Sequence, residues 1–172
     1  MIFVVDSMSC EAVVVESDSW IPLKITWEPR PTGRPLYLRI SGSYGGEVEI
    51  KIDPLTGMLV QVIVLEAPPV LGEGIRVPPS VLVETSVPVV DRSLWGWEEG
   101  QEGIAPDRSV VAIVESLRLV RAGDRVGLVF SDQEPVRYVC CRDVIVAIST
   151  DGRLVEISAA LQSDIVNSSV ST

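Results

Sequence analysis

The chain has 172 residues, with 14 Lys+Arg against 24 Asp+Glu, a formal net charge of -10 and no histidine. Without histidine, Ser-His-Asp and Cys-His catalytic devices and His-ligated metal or haem sites are excluded, and acid-base work falls to carboxylates, Lys, Tyr or Cys. The acidic balance disfavours nucleic acid and anionic membrane surfaces, which are held by Lys and Arg, and favours a basic protein partner.

Strand signals run through the whole chain. Val, Ile and Leu carry an apolar content of 47%, and 13 Gly and 12 Pro punctuate it, as in a chain of short strands joined by turns. The N-terminus, Met1 to Asp6, is apolar but short and has no basic region before it, so it does not read as a signal peptide. No uncharged run approaches the roughly 20 residues of a spanning helix. The expectation is a cytoplasmic protein that does not engage the membrane.

The first strands are predicted at Ile2–Val5, Ala12–Glu16 and Leu23–Trp27. Leu36, Leu38 and Ile40 then alternate with Tyr37 and Arg39, and Val48, Ile50 and Ile52 alternate with Glu47, Glu49 and Lys51. The pleat sends one set to a core and the other to water. Ser41–Gly46 and Asp53–Gly57 supply turn chemistry, and Met58–Leu65 completes a three-stranded meander. The Ser41–Gly46 loop is a hairpin turn rather than a phosphate cradle, because strands flank it and no Lys follows.

Residues 67–80 are rich in Pro and Gly and read as a linker or crossing segment. Val81–Glu84 and Val87–Val90 are short extended pieces, the second confined to an edge by Pro88. Val110–Val120 is expected to be one strand, although its low Gly and Pro content also allows a helix. Val126–Phe130, Val136–Cys141 and Val144–Ser149 follow, and Asp151-Gly152 turns the chain into Leu154–Ala160. The tail from Asn167 is expected to fray.

The expected fold is all-β, with antiparallel sheets in a sandwich or barrel-like arrangement built from two similar halves. Residues 1–66 form the N-terminal half, 67–107 a connection, and 108–172 the C-terminal half. The similarity rests on Leu36–Ile40 preceding Thr56–Val62, as Val126–Phe130 precedes Asp151–Ile157. Both closing strands read Leu-Val-x-Val/Ile.

Cys10 stands alone and Cys140-Cys141 are adjacent. This is not the spacing of a disulfide framework or a metal cluster, so three buried, inert thiols are expected, although Cys10 can reach one of the pair. No calcium-loop pattern occurs. The carboxylates at Glu47 and Glu49 share one strand face, which suits solvent better than catalysis. No catalytic residue, metal ligand or cofactor is assigned.

The most unusual segment is Trp95-Gly96-Trp97-Glu98-Glu99, with Glu102 close behind. Two tryptophans beside acids in a Gly-flanked loop match the composition of a protein-binding hot spot for a basic partner. A ring here can instead fold back over the end of the β core. Trp95 suits that role better and Trp97 suits the interface. Trp95, Trp97, Glu98, Glu99 and Glu102 are the expected contact residues.

Ile50–Val62 and Val144–Ile157 resemble the strand-turn-strand phrase of small acidic β-rich bacterial immunity proteins and domains of unknown function from polymorphic toxin systems. The phrases cover under a quarter of the chain and mainly encode a β-hairpin. The resemblance implies a protein that neutralises a basic toxin without a cofactor. The rivals are a carboxylate-based enzyme of carbohydrate-active or isomerase type, and a self-assembling subunit whose edge strands pair with copies of itself.

Overall fold

A computed structural model describes residues 1–31, 33–80 and 85–161. They form fourteen strands: β1 (Val4–Ser9), β2 (Ala12–Glu16), β3 (Lys24–Glu28), β4 (Leu36–Gly42), β5 (Glu47–Ile52), β6 (Leu59–Glu66), β7 (Val70–Glu73), β8 (Ser86–Val90), β9 (Val110–Glu115), β10 (Arg118–Ala122), β11 (Arg125–Val129), β12 (Pro135–Cys141), β13 (Val144–Ser149) and β14 (Leu154–Ala160). Two short 3-10 turns, Arg92–Trp95 and Pro106–Arg108, lie between β8 and β9. Among the described residues no helix is long and apolar enough to cross a membrane. The predicted Val81–Glu84 piece and the tail lie outside the described residues.

The molecule is all-β, as its residue alternation requires. One six-stranded sheet has the order β2-β3-β6-β5-β4-β9 and a second has β12-β13-β14-β11-β10-β7. β1 and β8 form a separate two-stranded ribbon. Pairing is antiparallel except for β4–β9 and β7–β10, and the sheets do not close into a barrel. Their inner faces and the ribbon contribute to one hydrophobic core, in which Ile25, Leu38, Ile50 and Val62 join Val126, Leu128, Val146 and Ile157. The opposite face of β4 and β5 carries the charged set, with Arg39 and Glu49 cross-strand partners.

The two sheets follow the same path over five strands. In each, a hairpin (β2-β3; β10-β11) precedes a meander (β4-β5-β6; β12-β13-β14), and the meander's last strand pairs with the hairpin's second. The similarity between the halves therefore extends over five strands of each sheet. The closing strands β6 and β14 do correspond, down to a register shift at the same place in each. Leu36–Ile40, however, corresponds in position to β12, and Val126–Phe130 to β3.

Both sheets also borrow a strand from across the chain. β9 runs parallel to β4 at the edge of the first sheet, and β7 runs parallel to β10 at the edge of the second. Residues 110–120 are thus two strands in different sheets rather than one. The break falls at Ser116-Leu117, where Leu117 enters the core. Likewise the segment 67–80 contains β7 within what its Pro and Gly content marked as linker.

Cys10 and Cys141 form a disulfide across a separation of 131 residues, which corrects the expectation of three inert thiols. The ribbon brings them together: Cys10 donates its N–H to Thr85 O at 2.8 Å, and Thr85 bridges Cys141 on β12. No local spacing encodes that meeting. The buried Cys140 lies outside the bond. A disulfide is uncommon in the cytosol, so it does not support the expectation of a cytoplasmic protein.

Candidate protein-binding loop

The segment after β8 is built outward from Asp91. Its carboxylate accepts the N–H of Ser93 at 2.9 Å and the Ser93 hydroxyl at 2.8 Å, capping the 3-10 turn Arg92–Trp95. Gly96 ends the turn at φ 69°, a left-handed conformation suited to glycine.

This turn drives Trp95 into the core, where it is 2% exposed and its indole N–H donates to Tyr37 O at 3.2 Å. Trp95 therefore anchors the loop to β4. At 2% exposure it offers no contact surface to a partner, so of the two roles open to it the structure selects the core.

Trp97 emerges half-buried on the other side of Gly96. The Arg92 guanidinium sits 3.8 Å from the centre of its ring, in cation–π geometry. The same guanidinium donates through Nη1 to Pro54 O at 2.8 Å and Leu55 O at 2.6 Å. Partial burial pushes its pKa down, while nearby Asp53 and Asp91 act the other way. Arg92 thus ties the Trp97 ring to the β5–β6 turn.

Beyond Trp97 the chain is acidic and open. Glu98, Glu99 and Glu102 are all exposed, and among the described residues none of the three is in an ion pair. A short turn, in which Gln101 donates its N–H to Glu98 O at 3.1 Å, joins Glu98 and Glu99 to Glu102. Trp97 and the three glutamates thus share one loop at the surface, while Trp95 of the same loop is buried in the core. Arg92 was not legible as part of this site, because its partners lie 5 residues ahead and some 37 residues behind it. Trp20, 86% exposed at the tip of the β2–β3 hairpin, is a further aromatic that composition did not single out.

A second unforeseen feature lies on the outer face of the β10–β14 sheet. Glu156, on β14, is 2% exposed and accepts the Arg76 N–H through Oε1 at 3.1 Å. Burial pushes its carboxyl above the ordinary carboxylate range, with Arg76, Arg118 and Arg125 opposing that shift. Gly127 makes the room: a Cβ there would stand 2.9 Å from Glu156 Oε1. A hollow of about 350 Å³ opens beside it, bounded by Gly72, Gly74, Arg76 and Arg118. It holds one carboxylate beside two arginines, not the facing carboxylate pair of a glycosidase site.

The chain matches no protein-family model and no curated protein.

Proposed function

We propose that this chain is a non-catalytic protein-binding protein that engages a basic partner through Trp97, Glu98, Glu99 and Glu102. A toxin domain neutralised by this binding is the partner class we favour. The observation that carries the reading is the Arg92–Trp97 stack, 3.8 Å from guanidinium to ring, in a loop with three exposed glutamates that have no ion-pair partner among the described residues. An aromatic ring held at its base loses little freedom on binding. Exposed acids speed the approach of a basic surface and orient it.

The test is calorimetry against the basic polypeptide encoded next to this chain, comparing wild type with a variant carrying Trp97→Ala, Glu98→Gln, Glu99→Gln and Glu102→Gln. A loss of affinity of about 100-fold or more is expected, the scale of a hot spot with its charged rim. The wild-type on-rate is expected to fall as salt rises. Equal affinity for the two proteins would remove the loop from the interface. For the toxin reading, co-expression of this chain is expected to restore growth to cells producing the partner.

A further inference from the structure

Strand β9 ends the first sheet with an open edge. Tyr37 donates its N–H to Ser109 O at 2.8 Å and Ser43 donates to Glu115 O at 2.9 Å. Odd-numbered residues of β9 therefore turn their backbone groups toward β4. Those of Val110, Ala112 and Val114 point away from the sheet, and among the described residues nothing pairs with them.

The edge is also unguarded. From Ser109 to Val114 it carries no charge, no proline and no glycine, whereas edge strands are usually blunted by such residues; its last residue, Glu115, turns its carbonyl to Ser43 and its carboxylate to the N-terminal amine. Val110 is 49% and Val114 68% exposed, and Ala112 between them is exposed as well. The other open edges differ. β2 is bracketed by Glu11 and Glu16, β7 is only four residues long and contains Gly72, and β12 opens with Pro135 and carries Arg137.

We propose that β9 is a self-association edge: two copies of this chain pair their β9 strands antiparallel about Ala112, joining two six-stranded sheets into one of twelve strands. The pattern is self-complementary. With Ala112 opposite its own copy, Val110 stands opposite Val114 twice, and the outward N–H and C=O groups of all three residues meet their counterparts. Three hydrogen-bonded residue pairs result, in the ordinary antiparallel geometry, around the two-fold axis typical of homodimers. A net charge of -10 on each copy opposes self-association in general, so a second copy can approach closely only along a run without charge. β9 lets two such bodies meet along a charge-free run, while pairing at β2 would bring carboxylates together. This surface is independent of the proposed partner-binding loop.

The experiment is sedimentation velocity on the full chain from about 1 to 200 µM, a range suited to weak interfaces. Wild type is expected to approach twice the monomer mass. Ala112→Pro removes an N–H that β4 does not use, and is expected to leave a folded monomer. Val110→Lys with Val114→Lys places like charges across the axis and is expected to weaken association at least 100-fold. Val14→Lys on β2 is the control and is expected to leave the dimer intact. If Ala112→Pro fails to fold, the double lysine variant decides, since both side chains lie at the surface. A wild-type monomer throughout overturns the proposal, including one that takes up a foreign strand. So does a dimer that both β9 variants leave unchanged.

Discussion

Gln61 and Glu156 occupy the same position in the two sheets. Each follows the extra residue of a register shift, Val60 on β6 and Val155 on β14, and each faces the middle strand of its meander, Gln61 opposite Lys51 and Glu156 opposite Ala147. The amide of Gln61 donates to the Thr26 hydroxyl at 3.0 Å on a half-buried face. Glu156 instead puts an ionisable carboxyl where only 2% of the residue meets solvent.

That difference predicts a pH dependence. Burial raises the folded-state pKa of Glu156 above its ordinary value of 4.5. Its stabilising contribution is therefore fully present below 4.5 and is lost as pH rises through the folded-state value. Glu156→Gln, which copies the Gln61 solution, is expected to raise the urea midpoint at pH 7 and to leave it nearly unchanged at pH 3.5. An equal effect at both pH values would show that ionisation is not what burial opposes.

The two tryptophans of the loop should separate cleanly. Trp95→Ala empties a core site and removes the indole hydrogen bond to Tyr37 O, and is expected to cost about 3–5 kcal/mol. Trp97→Ala loses a partly exposed ring and its contact with Arg92, and is expected to cost about 1 kcal/mol. Urea unfolding of the two single variants measures the contrast.

Gly57 is expected not to tolerate a side chain. Its φ is 80°, and a Cβ would lie 2.7 Å from the carbonyl oxygen of Val90 on β8. Gly57 O also accepts the Val90 N–H at 2.8 Å, so the β5–β6 turn and β8 meet backbone to backbone. Gly57→Ala is expected to cost about 2 kcal/mol or more, from left-handed strain together with the close approach. Thermal unfolding followed by circular dichroism reads the loss.

The disulfide should matter for stability. Cys10–Cys141 closes a separation of 131 residues and ties the β1–β8 ribbon to β12. Replacing both cysteines with serine is expected to lower stability by about 2–4 kcal/mol. Reductant is expected to destabilise wild type but not the variant. Guanidinium titrations with and without reductant test both statements.

Local sequence determined the strands and many of the turns, because pleat alternation and glycine conformations act over a few residues. Leu36 to Leu65 reads as a meander and folds as one, and the Leu-Val-x phrases at Leu59 and Leu154 do open corresponding strands. The acids of the candidate loop were legible as a cluster for the same reason: Glu98, Glu99 and Glu102 lie within five residues of one another. Tertiary structure alone decided the rest. Alternation marks which face of a strand is apolar but not which strand it pairs with, so β9 and β7 could not be assigned to sheets and the break at Ser116-Leu117 was invisible. Trp95 became a core anchor because Tyr37, 58 residues away, presents a carbonyl at the right place. Glu156 lies buried because Gly127 has no side chain and Arg76 reaches it from 80 residues away. Pairing, burial and cross-linking depend on neighbours distant in sequence, whereas periodicity records only those close by.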